Sequence, residues 1–132
     1  MNKILLIPGS FNPITNAHID MALTAKKAVN ADAILFIPAH DTYVAKKKTL
    51  IPGYCRVSLI NSMPNCEENN MWASEVETTS FFPQRTYNTI AQIRDMNEKD
   101  YIFNEYYICL GMDNIEILTT WYNWKPFVEE YN

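Results

Sequence analysis

Two kinds of apolar pattern alternate along the first 40 residues. Residues 4–7 are apolar without interruption, as in a parallel strand covered on both faces, and a proline and a glycine follow them. From Thr15 or Asn16 to about Asn30, apolar residues recur at helical spacing, with Thr15 or Asn16 as the N-cap. Residues 33–37 repeat the buried-strand pattern. This order predicts a right-handed parallel strand–helix–strand unit.

Beyond residue 40 the pattern predicts further helices and strands in alternation. Residues 43–52, which contain three consecutive lysines, are typical of a loop. Helices are predicted over residues 53–63, 84–96, 114–118 and 123–131, and strands over residues 71–76 and 106–110. The alternation predicts an α/β fold with a doubly wound parallel sheet, whose ligands bind beyond the carboxyl ends of its strands. Those ends lie at Gly9, Ala39 and Gly111.

Composition narrows the class of protein. With 132 residues, 48% hydrophobic and 20% charged, the chain is expected to form one globular domain. Its apolar runs are too short for a membrane span and its start lacks a secretion-signal pattern, so we expect a cytoplasmic protein without a membrane partner. The 11 basic and 15 acidic residues give a net charge of −4, which disfavours a general nucleic-acid binder. The three cysteines form no C-x-x-C pair, so neither a disulfide framework nor a zinc site is indicated.

Residues 9–18 carry the first candidate chemistry. Gly9 allows a ligand to approach the backbone, and the helix beginning near Thr15 directs N–H groups and a partial positive charge to the same crevice. His18 falls in the first helical turn, where its imidazole can reach a phosphate, and bound negative charge would favour the protonated ring. The plainer alternative is a polar histidine on a surface turn. Because a glycine turn adjoins it, we favour an anion site.

The same stretch resembles the signature of the nucleotidylyltransferase superfamily, which runs glycine, Ser/Thr, Phe, Asn/Asp, Pro, then His/Thr-x-x-His. The matching residues are Gly9, Ser10, Phe11, Asn12, Pro13, Thr15 and His18. The resemblance implies a Rossmann-like fold of nucleotidylyltransferase type, in which Gly9, Ser10 and Phe11 lie against the acceptor substrate. It also implies that Thr15 and His18 bind the phosphates of a nucleoside triphosphate, with His18 in a catalytic role.

Residues 43–56 look like the tyrosine, lysine-run, Leu-Ile-Pro-x-Tyr-x-Arg segment of eukaryotic-type nicotinamide mononucleotide adenylyltransferases. This resemblance implies phosphate contacts from the basic loop. Lys46 and Lys47 would bind the nucleotide, and Lys48 is the best single candidate for a catalytic lysine. A lysine run is by itself more often a solvated surface, and that alternative stays open.

Residues 85–90 resemble the Tyr-Thr-x-Asp-Thr-Leu helix start of bacterial nicotinate mononucleotide adenylyltransferases, in which the first threonine contacts the pyridine substituent. Thr86 takes that position and is expected to bind substrate, while from the local pattern alone it is an N-cap. Arg85 and Asn88 replace the usual tyrosine and aspartate, so nicotinate and nicotinamide mononucleotide both remain candidates.

Residues 110–124 look like the Gly-x-Asp…Trp-x-x-Trp stretch of the same bacterial enzymes. Gly111 would let the backbone approach a nucleotide, and Asp113 can accept hydrogen bonds from ribose hydroxyls. Trp121 would stack on the pyridine ring of the substrate. A core aromatic is the alternative for Trp121, and it is the interpretation we favour for Trp124.

Together the resemblances imply adenylyl transfer from ATP, with Mg²⁺ as cofactor, to a pyridine mononucleotide in NAD biosynthesis. Pantetheine-phosphate adenylyltransferase is an alternative, because its opening segment is similar to residues 8–20, although the later Gly-x-Asp…Trp-x-x-Trp pattern opposes it. Family members continue with a strand and a Ser/Thr-x-x-Arg segment that grips the triphosphate, and nothing after Trp124 matches it. We therefore expect a sheet lacking its last strand and helix, with mononucleotide binding retained better than turnover. A truncated, non-catalytic nucleotide-binding module and a homo-oligomer stay open.

Overall fold

The computed structural model describes residues 2–11, 13–40, 51–63, 69–79, 86–99 and 104–109, and the structural statements below refer to these residues. Within them, strands and helices alternate along the chain. The strands are β1 (Asn2–Gly9), β2 (Ala33–Pro38), β3 (Met71–Ala73) and β4 (Asn104–Ile108), and the helices are α1 (Asn16–Val29), α2 (Gly53–Asn61) and α3 (Thr86–Lys99). Each lies where the apolar pattern predicts an element of the same kind.

The described strands form one parallel sheet in the order β3-β2-β1-β4. β1 lies in its interior. It pairs with β2, where Gly9 is opposite Pro38, and with β4, where Asn2 is opposite Asn104. The strand order reverses between β1 and β4, and sheets of this class bind their ligands beyond the carboxyl ends of the strands at such a point. The predicted α/β fold with a doubly wound parallel sheet is confirmed.

Side chains of β1 alternate between the two faces of the sheet. Leu5 and Ile7 lie on the face covered by α1 and α2, whereas Leu6 lies on the face covered by α3. The buried residues of the first face are Leu5, Ile7, Phe11, Ile14, Ala22, Ala31, Ile34, Phe36, Ile60 and Met71. Those of the second face are Leu6, Ile37, Ile90, Ile93 and Tyr106. Helices on both faces explain why β1 and β2 are continuous apolar runs.

The third strand is shorter than predicted. The predicted strand reaches Val76, but β3 ends at Ala73. The Val76 N–H donates to the Ser74 hydroxyl at 3.2 Å, and the Thr79 N–H donates to the Glu75 carbonyl at 2.9 Å. The Ser74 N–H still donates to the Phe36 carbonyl of β2 at 2.7 Å. Beyond Ser74, local bonds such as the one to its hydroxyl take the place of the strand ladder.

Several predictions lie outside the described residues. These are most of the lysine-bearing loop, the helices over residues 114–118 and 123–131, and the expected loss of the last strand and helix, which all stay predictions. In the part of the chain that the structure describes, no helix is long and apolar enough to cross a membrane. In the same part, Cys55 and Cys109 are free thiols, and burial raises the pKa of Cys109.

Candidate functional site

The turn after β1 is packed around a glycine. A Cβ atom at Gly9 would stand 3.0 Å from the Cζ atom and 3.2 Å from the Cε2 atom of Phe11. Both distances are shorter than ordinary contacts between carbon atoms. The space beside Gly9 is therefore taken by the Phe11 ring, and a side chain at this position would need the ring to move by a few tenths of an ångström. The expectation that Gly9 also faces a ligand stays a prediction.

Phe11 itself is held in an unusual conformation. Its φ angle is 46°, in the left-handed region that aromatic residues rarely adopt, and only 4% of its surface is exposed. Its ring packs edge-on against Phe36, with centroids 5.4 Å apart, and against His18, with centroids 5.3 Å apart. Core packing thus holds the turn in one conformation. The Phe11 side chain belongs to the core. The expected contact of Phe11 with substrate stays a prediction.

The start of α1 carries a capping box made by Thr15 and His18. The His18 backbone N–H donates to the Thr15 hydroxyl at 3.4 Å, and the Thr15 backbone N–H donates to Nδ1 of His18 at 2.9 Å. Thr15 is therefore the N-cap, as predicted. A histidine here takes the place that glutamate or glutamine usually has in a capping box. Sequence reasoning missed this role of His18, although the Thr-x-x-His spacing is its signal.

The capping box determines which nitrogen of His18 carries the proton. Nδ1 accepts from the Thr15 N–H and lies 3.1 Å from the Thr15 hydroxyl, so in the neutral ring the proton lies on Nε2. Burial also lowers the pKa of His18. Both effects favour the neutral ring, whose available donor is Nε2–H. The protonated ring expected from the sequence needs a bound anion. Its Nδ1–H would then face the Thr15 N–H, and the hydrogen bond between them would be lost.

A second group of polar side chains lies buried at the same edge of the sheet. Arg56, on α2, is fully buried and donates from Nη1 to the Ser10 carbonyl and from Nε to the Ile51 carbonyl, both at 2.9 Å. Glu77, just beyond β3, is 4% exposed. Its carboxyl group accepts hydrogen bonds from the Thr89 hydroxyl and from a backbone N–H at residue 40, and it is attracted by Arg56.

Burial dominates the acidity of Glu77. Removal from water raises its pKa from the ordinary value of 4.5 to about 7. The hydrogen bonds from Thr89 and the residue 40 backbone and the charge of Arg56 all act in the opposite direction and offset only part of this effect. Sequence reasoning gave neither Arg56 nor Glu77 a role. Arg56 is the last residue of the Leu-Ile-Pro-x-Tyr-x-Arg segment, and this position could have pointed to it. No motif or pattern in the sequence points to Glu77.

Comparison with known proteins places the chain in a family. The sequence model of the Cytidylyltransferase-like family matches residues 6–132. The chain belongs to the cytidylyltransferase-like family. The nucleotidylyltransferase resemblance inferred from residues 9–18 is thereby confirmed.

Relatives of this cytidylyltransferase-like chain include curated bacterial proteins. A protein of Maridesulfovibrio salexigens, named "Probable nicotinate-nucleotide adenylyltransferase", is 28% identical over 131 residues, which cover 98% of this chain and 58% of the relative. A protein of the same name from Shewanella sediminis is 27% identical over 124 residues, covering 93% of this chain and 56% of the relative. The chain therefore spans somewhat over half the length of these relatives.

A solved structure shares the fold of this cytidylyltransferase-like chain. The nicotinic acid mononucleotide adenylyltransferase of Plasmodium falciparum complexed with NaAD superimposes with a TM-score of 0.73 at 20% sequence identity. The match covers 97% of this chain and 60% of that one. It supports the Rossmann-like architecture of the parallel sheet.

The fold of the cytidylyltransferase-like chain brings one group of predicted site residues together. Those gathered where β1 ends and α1 begins are Gly9, Ser10, Phe11, Thr15 and His18. Thr86 is the first residue of α3, on the same edge, because this helix follows β3. The remaining candidates lie outside the described residues, and they are Lys46, Lys47, Lys48, Gly111, Asp113 and Trp121.

Proposed function

We propose that this chain forms the substrate-binding fold of an adenylyltransferase that joins ATP to nicotinate or nicotinamide mononucleotide, releasing pyrophosphate. The observation that carries the proposal is the tightly packed turn from Gly9 to His18, which ends β1 beside the point where the strand order reverses. Family membership supports it, as do the names of the curated relatives. The product would be a dinucleotide, which is either a precursor of NAD or NAD itself.

The proposed reaction needs positioning and charge stabilisation more than proton transfer. The attacking phosphate of the mononucleotide is already ionised at neutral pH, so no general base is required. The site has to hold two mutually repelling phosphate groups in line and stabilise the charge that develops on pyrophosphate. In the proposal, the N-terminus of α1 supplies the positive end of a helix dipole, and His18 donates from Nε2–H.

Other roles in the proposal follow from the family resemblance. Thr86, at the start of α3, would contact the pyridine substituent, and Trp121 would stack on the pyridine ring. Gly9, Ser10 and Phe11 would line the acceptor side. The proposed nucleotide contacts are Thr15, Lys46, Lys47, Gly111 and Asp113, and Lys48 would join His18 on the phosphates.

We propose that Mg²⁺ accompanies ATP. Mg²⁺ keeps several waters and is usually bound through substrate phosphates and one or two carboxylates. Within the described ranges, no group of three or more His, Cys, Asp or Glu side chains lies close enough to hold a metal ion. In the proposal Mg²⁺ would arrive with ATP and would neutralise charge on the leaving group.

A product assay tests this function. The purified chain is given ATP and Mg²⁺ with both pyridine mononucleotides together, and the products are separated by mass. We expect dinucleotide from at least one of them, and its loss in His18→Ala. Mixed product would show that Thr86 and its neighbours do not discriminate between the two substrates.

Two outcomes would refute the proposal in different ways. In a parallel assay with pantetheine phosphate as acceptor, adenylylation of that compound alone would replace the pyridine substrate by another acceptor. Binding of a mononucleotide with no product in the presence of MgATP would instead show a nucleotide-binding module. Isothermal titration of each mononucleotide, run beside the product assay, separates these results.

A further inference from the structure

Two buried ionisable side chains join the segments that follow three neighbouring strands. Arg56 binds the Ser10 carbonyl, beyond β1, and Glu77 lies beyond β3 and accepts a hydrogen bond from backbone beyond β2. Glu77 also accepts from Thr89 in α3, and the charge of Arg56 acts directly on it. These contacts are made at the carboxyl edge of the sheet, where the proposed site lies.

Full burial makes the contacts of this group costly to break. Arg56 has no exposed surface, Glu77 is 4% exposed and Thr89 has none. Charged groups taken out of water need both an opposite charge and hydrogen bonds, and removing one member leaves its partner buried without them. In the described part of the chain, no buried side-chain nitrogen or oxygen lacks a hydrogen-bond partner. The polar atoms of this group are therefore satisfied in the observed arrangement.

We infer that Arg56 and Glu77 are positioning residues that set the distance between the turn after β1 and the start of α3. The inference rests on the proposed function, since it concerns the two ends of that site. Neither side chain is assigned a contact with substrate. Each acts through a neighbour, Arg56 through Ser10 and Glu77 through Thr89.

The sequence positions of these neighbours explain why the distance matters. Ser10 lies between Gly9 and Phe11, so its carbonyl anchors the turn that leads to His18 at the phosphate end. Thr89 lies three residues after Thr86 in the same helix, α3. Displacing Thr89 thus shifts the start of α3, which carries Thr86, the proposed contact to the pyridine substituent.

Substitutions that keep size but remove the specific contacts test this inference. Glu77→Gln removes the charge that faces Arg56, and Arg56→Lys replaces a planar group that reaches two carbonyls by a single ammonium. Glu75→Gln and Arg94→Lys are matched controls, because Glu75 is exposed and Arg94 lies beside the exposed Asp95.

Amide hydrogen exchange provides a readout that does not depend on activity. In both test variants we expect faster exchange at Ser10 and Phe11 and also near Thr89, segments that neither substitution alters in sequence. The carboxyl-terminal half of α1 should keep its wild-type exchange. Two results would refute the inference. One is faster exchange only at the direct contact of the substituted residue, which is Ser10 for Arg56 and Thr89 for Glu77. The other is a uniform increase over every element.

Kinetics provide the second readout. We expect kcat to fall by about 10- to 100-fold in both test variants, because misplacement by about 1 Å can cost this much, while the controls keep wild-type rates. The rate of the wild type should also change with ionisation of Glu77, whose carboxyl faces the guanidinium of Arg56, the hydroxyl of Thr89 and the residue 40 backbone. Glu77→Gln should remove that limb of the pH profile.

The two proposals can fail separately. If the wild-type chain makes no dinucleotide from either mononucleotide, the proposed function is refuted, and the exchange experiment still decides whether Arg56 and Glu77 couple the two segments. If the wild type is active and Glu77→Gln keeps its kcat and pH profile, the positioning inference is refuted while the function stands.

Discussion

The capping box at the start of α1 allows the helix-stabilising role of His18 to be separated from its proposed chemical role. Glutamine is an ordinary capping-box residue at this position, so His18→Gln keeps an acceptor for the Thr15 N–H and removes the imidazole. Thr15→Ala does the reverse, because it removes the N-cap hydroxyl and leaves the ring. The two substitutions should therefore affect stability and catalysis in opposite proportions.

The expected sizes follow from the contacts. Thr15 is exposed and its hydrogen bond to the His18 N–H is long, at 3.4 Å, so freed backbone groups return to water. Thr15→Ala should then cost about 1 kcal/mol, within the usual range for a lost N-cap. This shifts the unfolding equilibrium roughly fivefold. His18→Gln should stay within about 0.5 kcal/mol of the wild type. It should lower kcat by about 100-fold, because the glutamine amide N–H does not take the position from which the imidazole Nε2–H would donate to the phosphates.

Urea unfolding and the dinucleotide assay, run on both variants, measure the two effects. His18→Ala should lose both stability and rate, and a double substitution of Thr15 and His18 by alanine should cost less stability than the two single ones together, since they share one interaction. Wild-type kcat in His18→Gln would refute the chemical role of the imidazole. Because Thr15 is also a proposed nucleotide contact, Thr15→Ala should raise the KM for ATP while the imidazole keeps its contribution to kcat. A fall in kcat in Thr15→Ala as large as that in His18→Gln would show that the ring is not what determines the rate.

Three further predictions concern stability. Gly9→Ala should cost about 1–3 kcal/mol, since its Cβ meets the Phe11 ring at 3.0 Å, and the loss measured by urea unfolding should shrink when Phe11→Leu is added. The pKa of Glu77, raised from 4.5 to about 7, means that the folded protein binds this proton more tightly than the unfolded chain. The contribution of Glu77 to stability is complete below pH 4.5 and is lost as the pH rises to about 7. The full change in the free energy of unfolding is about 3 kcal/mol. Urea unfolding at pH 5 and at pH 8 should show it in the wild type and not in Glu77→Gln. His18 has the opposite sign: because its pKa lies below 6.5, its contribution is complete above pH 6.5 and declines as the pH falls, and His18→Gln should lack this decline.

The elements that could be predicted from the sequence are those whose signals are local. Continuous apolar runs predict β1 and β2 because helices cover both faces of the sheet, and the spacing after Thr15 predicts α1 with its cap. β3 was predicted too long because its apolar pattern continues to Val76, whereas the Ser74 hydroxyl captures a backbone N–H that the pattern does not reveal.

The candidate site could be predicted only in part, for the same reason. Residues 9–18 form one contiguous motif, so the sequence alone indicates an anion site there. The positive φ of Phe11 and the contact between Arg56 and Ser10 depend on residues brought together by the fold. Glu77 likewise meets Thr89 and Arg56 only in three dimensions. Such contacts leave no periodicity to detect.

The interior position of β1 has a consequence for biosynthesis. This strand leaves the ribosome before both of its neighbours and can pair with β2 soon afterwards, but its other neighbour, β4, begins at Asn104. At translation rates of about 5–20 residues per second, one edge of β1 waits on the order of 5–20 s for its partner. During that interval Leu5, Leu6 and Ile7 lie beside an unpaired row of backbone donors and acceptors, which is where aggregation of the nascent chain would start.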